Sequence, residues 1–291
     1  MRVFTGLAAA AAISVGLLSA TPASADPVAN DVEIELYHVF TVDSDTTRTP
    51  NVTTRMNSPS DNNFAAADGA LGQLTFTTKV LNPSFTAANS VFNHINPAPN
   101  QFTGGQGPVT GTEVQFTVHF TTPFALAAGD HVFFRPEVDF GSAADFLWLS
   151  APKPIVPPGT PFANPALDLQ SWTRNDGPGA LAPDWSRIGT DITHQGPFNA
   201  TFSLTGTAGG VPFFFSTGNP DGLIATLSRT ASPGKLETET ADDFITAGAT
   251  TLITDATFVG LVVVTPEPAT LVLLGSGLVG LAGLAWRRRR K

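Results

Sequence analysis

The chain has 291 residues, with 24 acidic and 15 basic side chains and a formal net charge of −9. Nucleic acids and anionic lipid surfaces carry negative charge, so an acidic protein is a poor candidate for binding either of them. The sequence contains no cysteine, which excludes disulfides and thiol chemistry.

The N-terminal segment, residues 1–25, has the features of a secretory signal peptide. It carries one cation, Arg2, and then an apolar stretch. Small residues, Ala23 and Ala25, come just before Asp26, as signal peptidase requires. We therefore expect the mature chain to begin at Asp26, and the alternative is an uncleaved anchor.

The long segment 26–264 predicts an all-β fold. In 113–120, apolar and polar residues alternate, which is typical of a strand with one buried face, and 32–40 shows the same pattern. Further predicted strands are 73–80, 132–140, 145–149, 199–205, 223–228 and 250–264. Gly and Pro turn signals separate them, so we predict a β-sandwich, jelly-roll-like, with long Pro/Gly-rich loops. A β-barrel is the alternative, and 65–70 and 243–247 could form short helices.

One proline-rich stretch, 151–165, raises the question of how many domains the segment 26–264 contains. Six prolines in this stretch exclude a central strand, so it predicts a connection. We prefer a single domain, because Phe-rich strands lie on both sides and no change of charge marks a boundary. A split into two domains near 151–165 is the alternative.

Acidic pairs in the same segment raise the possibility of a structural calcium ion. Of the chain's charged residues, nine basic and 23 acidic lie within 26–264, a net charge of −14. The pair Asp43 and Asp45, and the pair Asp242 and Asp243, could supply oxygen ligands. The alternative is that they provide only turn and strand-edge polarity. No other cofactor is predicted.

Two tryptophans, Trp172 and Trp185, lie among polar residues in a turn-rich region. Such rings can stack on the apolar face of a sugar, so they are candidate carbohydrate contacts. The alternative is that they attach a long loop to the fold. No catalytic residue is predicted, because the segment lacks a Gly-x-Ser-x-Gly elbow and its histidines are scattered.

The C-terminal segment 265–291 has the pattern of a membrane signal. An uncharged run, 269–286, would extend about 27 Å as a helix, which is just enough to cross a bilayer core. Pro266, Glu267 and Pro268 precede the run, and the two prolines favour an extended, exposed conformation. Five cations follow it and predict a cytoplasmic C-terminus: Arg287, Arg288, Arg289, Arg290 and Lys291.

This order, Pro-Glu-Pro, then an apolar helix, then an arginine cluster, resembles the PEP-CTERM sorting signal of Gram-negative bacteria. The resemblance implies processing by an exosortase at the tripeptide and an association with exopolysaccharide or biofilm matrix. An ordinary C-terminal membrane anchor is the alternative. Residues 237–260 also resemble a block in other exported PEP-CTERM proteins, which predicts that strand 252–264 pairs near strand 32–40.

Together these observations predict an exported protein that passes from an inner-membrane-anchored precursor to the cell surface or extracellular matrix. We expect a non-enzymatic role in adhesion, matrix structure or carbohydrate binding, with exopolysaccharide as a partner and nucleic acid excluded. A secreted polysaccharide-active hydrolase and a ligand-free structural surface protein are the alternatives.

Overall fold

A computed structural model describes residues 28–39, 58–92, 104–152, 170–176, 185–231, 235, 237–246 and 248–264. Within them the chain forms fifteen strands and one short π-helix, Ile188–Ile192, so the predicted all-β class is confirmed. The strands are β1 (Asp31–Val39), β2 (Pro59–Asp68), β3 (Leu74–Ala87), β4 (Asn89–Val91), β5 (Val109–Leu126), β6 (His131–Asp139), β7 (Ala144–Ala151), β8 (Trp172–Asp176), β9 (Ser186–Arg187), β10 (Asn199–Ala200), β11 (Phe202–Ala208), β12 (Val211–Ser216), β13 (Ile224–Leu227), β14 (Glu237–Ile245) and β15 (Thr251–Val264).

The strands form two sheets. Sheet A has the antiparallel order β2-β1-β6-β14-β8-β9. Sheet B is built around β15, which pairs with β5 along one side and with β11 and then β7 along the other. Strand β3 extends the sheet beyond β5, and β12 extends it beyond β11. Strands β13 and β4 continue from β7, and β13-β4 is a parallel pair.

The largest buried cluster contains side chains from both sheets. Val32 and Ile34 of β1 belong to it, as do Phe116 of β5 and Phe258 of β15. Alternation explains their position, because successive side chains of a strand point to opposite faces. Phe134 of sheet A stacks on Phe202 of sheet B with ring centroids 5.1 Å apart. Burial of each such ring contributes about 1.5–3 kcal/mol, which holds the two inner faces together.

Most of the predicted strands are present, with changed boundaries. The predicted strand 113–120 is the middle of β5, which is 18 residues long. Strand 250–264 corresponds closely to β15, and 32–40 to β1. Sequence reasoning missed β2, β4, β8, β9, β12 and β14. Five of these six, all except β14, are edge or near-edge strands.

Both short helices predicted from the sequence are wrong. Residues 65–68 belong to β2, where Ala65 and Ala67 pair with Leu36 and Ile34. Asp243 belongs to β14 and pairs with Phe133 of β6. Alanine and aspartate have no strong strand preference of their own, so pairing with a neighbouring strand decides their conformation.

The predicted pairing of strand 252–264 with strand 32–40 is also wrong. Strand β1 lies in sheet A between β2 and β6, whereas β15 is the central strand of sheet B. The main buried cluster draws on both sides of the proline-rich stretch 151–165, since Phe116 precedes it and Phe258 follows it. Residues 153–169 lie outside the described part of the chain.

Candidate functional site

The C-terminal end of β15 is where the predicted sorting signal begins. Val262 is buried and pairs with Thr112 of β5. Two residues later, Val264 pairs with Ala144 of β7 and is 54% exposed. The central strand of sheet B therefore runs to the last described residue of the chain. The predicted signal residues Pro266, Glu267 and Pro268, the apolar run 269–286 and the cations 287–291 lie outside the described residues.

The N-terminal end of the folded part emerges close to the same place. The backbone N–H of Asn30 donates to the carbonyl of Asp139, the last residue of β6, at 2.7 Å. The short turn 140–143 then leads to Ala144, the partner of Val264. Gly141 in this turn has a φ of 57°, a conformation that glycine adopts without strain. The predicted signal-peptide residues Ala23, Ala25 and Asp26 lie outside the described residues.

Two cations fix the strand next to the end of β15. Arg229 Nη1 lies 2.6 Å from Asp145 Oδ1, and Lys235 Nζ lies 2.9 Å from the same oxygen. Lys235 also donates to the carbonyl of Ala144 at 3.0 Å. Asp145 pairs with Val263, so these contacts attach the segment after β13 to the strand that lies beside the end of β15.

A buried cluster of charges, which we call the Arg135 cluster, covers the outer face of sheet A. Cross-strand pairing places Arg135 of β6 opposite Glu35 of β1, and the two form an ion pair. Arg135 Nη2 lies 2.5 Å from Glu137 Oε2 and 3.0 Å from Glu237 Oε1. Glu239 Oε1 lies 3.6 Å from the same nitrogen. One guanidinium therefore compensates carboxylates from three strands.

A second arginine and two aromatic rings complete this cluster. Arg174 of β8 forms an ion pair with Glu239. The Arg174 guanidinium lies 4.6 Å from the ring centroid of Trp185 and 5.7 Å from that of Tyr37. Tyr37 donates its hydroxyl hydrogen to Glu35 at 2.5 Å. The rings exclude water from the ion pairs, which strengthens the attraction between the paired charges. The same exclusion of water raises the free-energy cost of any buried charge that has no partner.

The charges in the Arg135 cluster do not balance. Four carboxylates surround two guanidinium groups, and Glu137 is 1% exposed. Burial raises the pKa of Glu137 to about 8, although the charge and the contact of Arg135 act in the opposite direction. Burial and the nearby charge of Glu239 also raise the pKa of Tyr37. Burial therefore favours the protonated form of Glu137 at neutral pH.

The structure corrects the predicted carbohydrate contact at Trp172 and Trp185. Their exposed fractions are 0% and 2%, so neither ring face can stack on a sugar in this arrangement. Both rings belong to a buried cluster on sheet A with Tyr37, Phe133 and Ala241. The alternative, in which the tryptophans attach a connecting segment to the fold, is the one that their burial favours.

The acidic pair Asp242 and Asp243, a predicted calcium site, is also buried. Asp242 points between the sheets, where it accepts hydrogen bonds from the backbone N–H groups of Ala200 and Asp243. Asp243 points the other way, and its Oδ2 lies 2.6 Å from His131 Nε2. Burial raises the pKa of both carboxyls, and the charge of Asp243 raises that of Asp242 further. Adjacent residues of a strand face opposite sides, so the two carboxylates do not converge.

No group of three or more His, Asp or Glu side chains in the described ranges is placed to hold a metal ion. Asp43 and Asp45, the other predicted calcium ligands, lie outside those ranges. A calcium ion at Asp43 and Asp45 therefore remains a prediction.

Sequence reasoning missed the Arg135 cluster, although a signal for it was present. Charged or polar residues occupy alternate positions in three of its strands, as in Glu33, Glu35 and Tyr37 of β1 and in Glu237 and Glu239 of β14. Such alternation ordinarily indicates a face in contact with water. Nothing in the spacing predicts that this face is covered.

Comparison with known proteins assigns the C-terminal segment. The family described as the PEP-CTERM protein-sorting motif matches residues 264–290. The chain carries a PEP-CTERM sorting motif. The protein is therefore an exosortase substrate, exported and directed to the cell surface, as the Pro-Glu-Pro tripeptide and the arginine cluster predicted.

The PEP-CTERM motif covers about a tenth of the chain and begins at Val264, the last residue of β15. No helix in the described part of the chain is both long and apolar enough to cross a membrane. No curated protein and no solved structure matches the chain.

Proposed function

We propose that this protein acts at the cell surface or in the extracellular matrix, in a non-enzymatic role of adhesion, matrix structure or carbohydrate binding. The observation that carries the proposal is the position of the PEP-CTERM motif, which begins where β15 ends. The Pro-Glu-Pro region lies beyond the end of β15, so cleavage there leaves all fifteen described strands in the released part. A processing signal placed in this way suits a protein whose body works after it has left the membrane.

The route to the surface has two steps. Signal peptidase removes residues 1–25, and the apolar run 269–286 holds the precursor in the inner membrane with the cations 287–291 in the cytoplasm. An exosortase then processes the chain near Pro266–Pro268. Asn30 and Val264 both lie next to the turn 140–143, so in this proposal that end of the folded part faces the membrane.

The fold in this proposal is a β-sandwich. Support comes from the cluster of buried side chains that the two sheets share and from the stacking of Phe134 on Phe202 across it. A jelly-roll-like order of strands stays a prediction.

The non-enzymatic part of the proposal rests on where the ionisable side chains lie. Three carboxyl groups of the Arg135 cluster, those of Glu35, Glu137 and Glu239, are paired with arginines and largely buried, so a substrate could not reach them without a rearrangement of that face. Two clefts, of about 380 Å³ and about 140 Å³, open elsewhere on the surface. Neither contains Asp, Glu or His among its lining residues, so neither offers the pair of carboxyl groups that glycoside hydrolysis requires.

A double substitution, Pro266→Ala with Pro268→Ala, tests the sorting step. Export should persist, because the signal peptide is untouched. Nearly all of the protein should then stay full length in the inner membrane, whereas the wild type is processed and appears outside it. Cell fractionation and mass spectrometry of the C-terminus give the readout, and Thr270→Ala, which leaves the tripeptide intact, is the control. Identical mature C-termini in the wild type and the double variant would contradict the proposal.

A further inference from the structure

We infer that the outer face of sheet B binds a neutral, hydroxyl-rich polysaccharide. This inference rests on the proposed role and gives it a surface and a ligand class. The surface lies on five neighbouring strands in the order β3-β5-β15-β11-β12. Cross-strand pairing arranges ten outward-facing side chains in two rows, which we call the hydroxyl face. The first row is Thr77, Thr117, Thr257, Ser203 and Ser216, and the second is Thr75, His119, Asp255, Thr205 and Phe214.

The dimensions of the hydroxyl face suit an extended polymer. Neighbouring strands are about 4.8 Å apart, so each row is about 19 Å long, and the rows are separated by roughly 6.8 Å, the distance between alternate residues of a strand. A sugar unit in an extended chain is close in length to the spacing between strands. A polysaccharide that crosses the strands would thus meet one side chain of a row at each sugar.

The side chains of the hydroxyl face can form hydrogen bonds with the hydroxyl groups of a sugar. Seven of the ten side chains are Thr or Ser, whose hydroxyl groups both donate and accept hydrogen bonds. These residues are exposed or half-buried. Their orientation is set by a sheet rather than by a loop, so little entropy is lost when a ligand binds.

Charge distinguishes a neutral polysaccharide from an acidic one. The one carboxylate in the rows, Asp255, already has partners in its own sheet: His119 Nδ1 at 2.8 Å and the hydroxyl of Thr254 at 2.6 Å. The segment 26–264 has a net charge of −14, which repels an acidic polymer. The hydroxyl face therefore offers hydrogen bonds without a cationic patch, and that combination fits a neutral chain.

An exposed aromatic ring lies at one end of the second row. Phe214 of the edge strand β12 is 68% exposed and pairs with Thr205. The C–H groups on one face of a sugar pack on such a ring while its hydroxyls reach the neighbouring side chains. Two residues further along, Ser216 ends the first row. There a cleft of about 140 Å³ opens, lined in part by Gln115, Ser203 and Asn219.

Binding of the full-length chain, purified in detergent, to insoluble polysaccharides tests the inference. The probes are microcrystalline cellulose and cross-linked dextran, which are neutral, and cross-linked alginate, which is acidic. The variants are Phe214→Ser and the double substitution Thr117→Val with Thr257→Val, and the control is Leu71→Ser, an exposed apolar residue on the turn after β2. Melting temperatures equal to that of the wild type establish that each variant is folded.

We expect the wild type and Leu71→Ser to bind at least one neutral polysaccharide. Phe214→Ser should bind about tenfold more weakly, since a sugar can no longer pack on an aromatic ring at this position. The double variant should also weaken binding, because each valine keeps the shape of threonine without its hydroxyl. Unchanged binding in both variants would overturn the inference, as would binding to alginate alone or to no probe. The sorting step is tested separately, by the retention of the Pro266→Ala, Pro268→Ala variant in the membrane. A negative result in the polysaccharide experiment would therefore not contradict the sorting step.

Discussion

The outer faces of the two sheets have opposite characters. On sheet A, Glu35, Arg135 and Glu137 are buried on the same face as the aromatic cluster that contains Tyr37 and Trp185. On sheet B, Thr117 and His119 are exposed to solvent. The outer face of sheet A, which has more ionisable groups, is buried. The outer face of sheet B, which has mostly neutral hydroxyl groups, is exposed to solvent. Charge in this protein thus contributes to the cohesion of one face, and the other face is left available for contact.

The largest effect is expected when the cation of the sealed face is removed. Arg135→Met leaves the carboxylates of Glu35 and Glu239 with one guanidinium fewer, which should lower the free energy of unfolding by about 3–5 kcal/mol. Denaturant unfolding followed by tryptophan fluorescence measures it, since Trp172 and Trp185 report on this face. Lys79→Met removes a cation from an exposed position of β3 and should change stability by less than about 0.5 kcal/mol. Equal losses of unfolding free energy in Arg135→Met and Lys79→Met would show that charge does not stabilise the outer face of sheet A more than that of sheet B.

A smaller effect, with a defined pH dependence, is expected at Glu137. Its pKa is raised from 4.5 to about 8, so the folded state holds a proton that the unfolded state has lost. Stability therefore falls as the pH rises from about 4.5 to about 8. Glu137→Gln should match the wild type at low pH and exceed its unfolding free energy at high pH by about 1–3 kcal/mol. Unfolding curves at several pH values give the comparison, and parallel curves for both proteins would refute it.

The smallest effect, with the opposite pH dependence, is expected on the open face. Burial alone would raise the pKa of Asp255, but hydrogen bonds from Thr254 and His119 and the charge of His119 lower it below 3.8. The ionised Asp255 stabilises the folded state at pH values above the pKa that it has in the unfolded chain. This stabilisation is lost as the pH falls through the lower pKa that Asp255 has in the folded protein. Asp255→Asn should cost less than about 1 kcal/mol, because the pair with His119 is exposed to solvent. Thermal unfolding at neutral and acidic pH tests this, and a larger loss would mean that the open face is also held by charge.

Sequence reasoning succeeded where the physical cause is local. Alternation in 113–120 predicted a strand because residues of one strand share a face by geometry alone. It failed for 65–70 and Asp243, where the conformation follows from pairing with β1 and β6. The tryptophans show the same limit, since a ring beside polar residues in the sequence is exposed or buried according to what packs on it.

The sequence by itself determined the sorting signal, because Pro266, Glu267, Pro268 and the residues after them act as a short linear motif whose meaning does not depend on the rest of the fold. It also determined that the body is made of strands. Only the tertiary structure decided which polar face is covered. Strands β1 and β5 both alternate between apolar and polar residues, yet Glu35 is buried and Thr117 is exposed. That difference comes from contacts between residues far apart in the chain, such as Arg135 with Glu239 and Arg174 with Trp185, which no local pattern encodes.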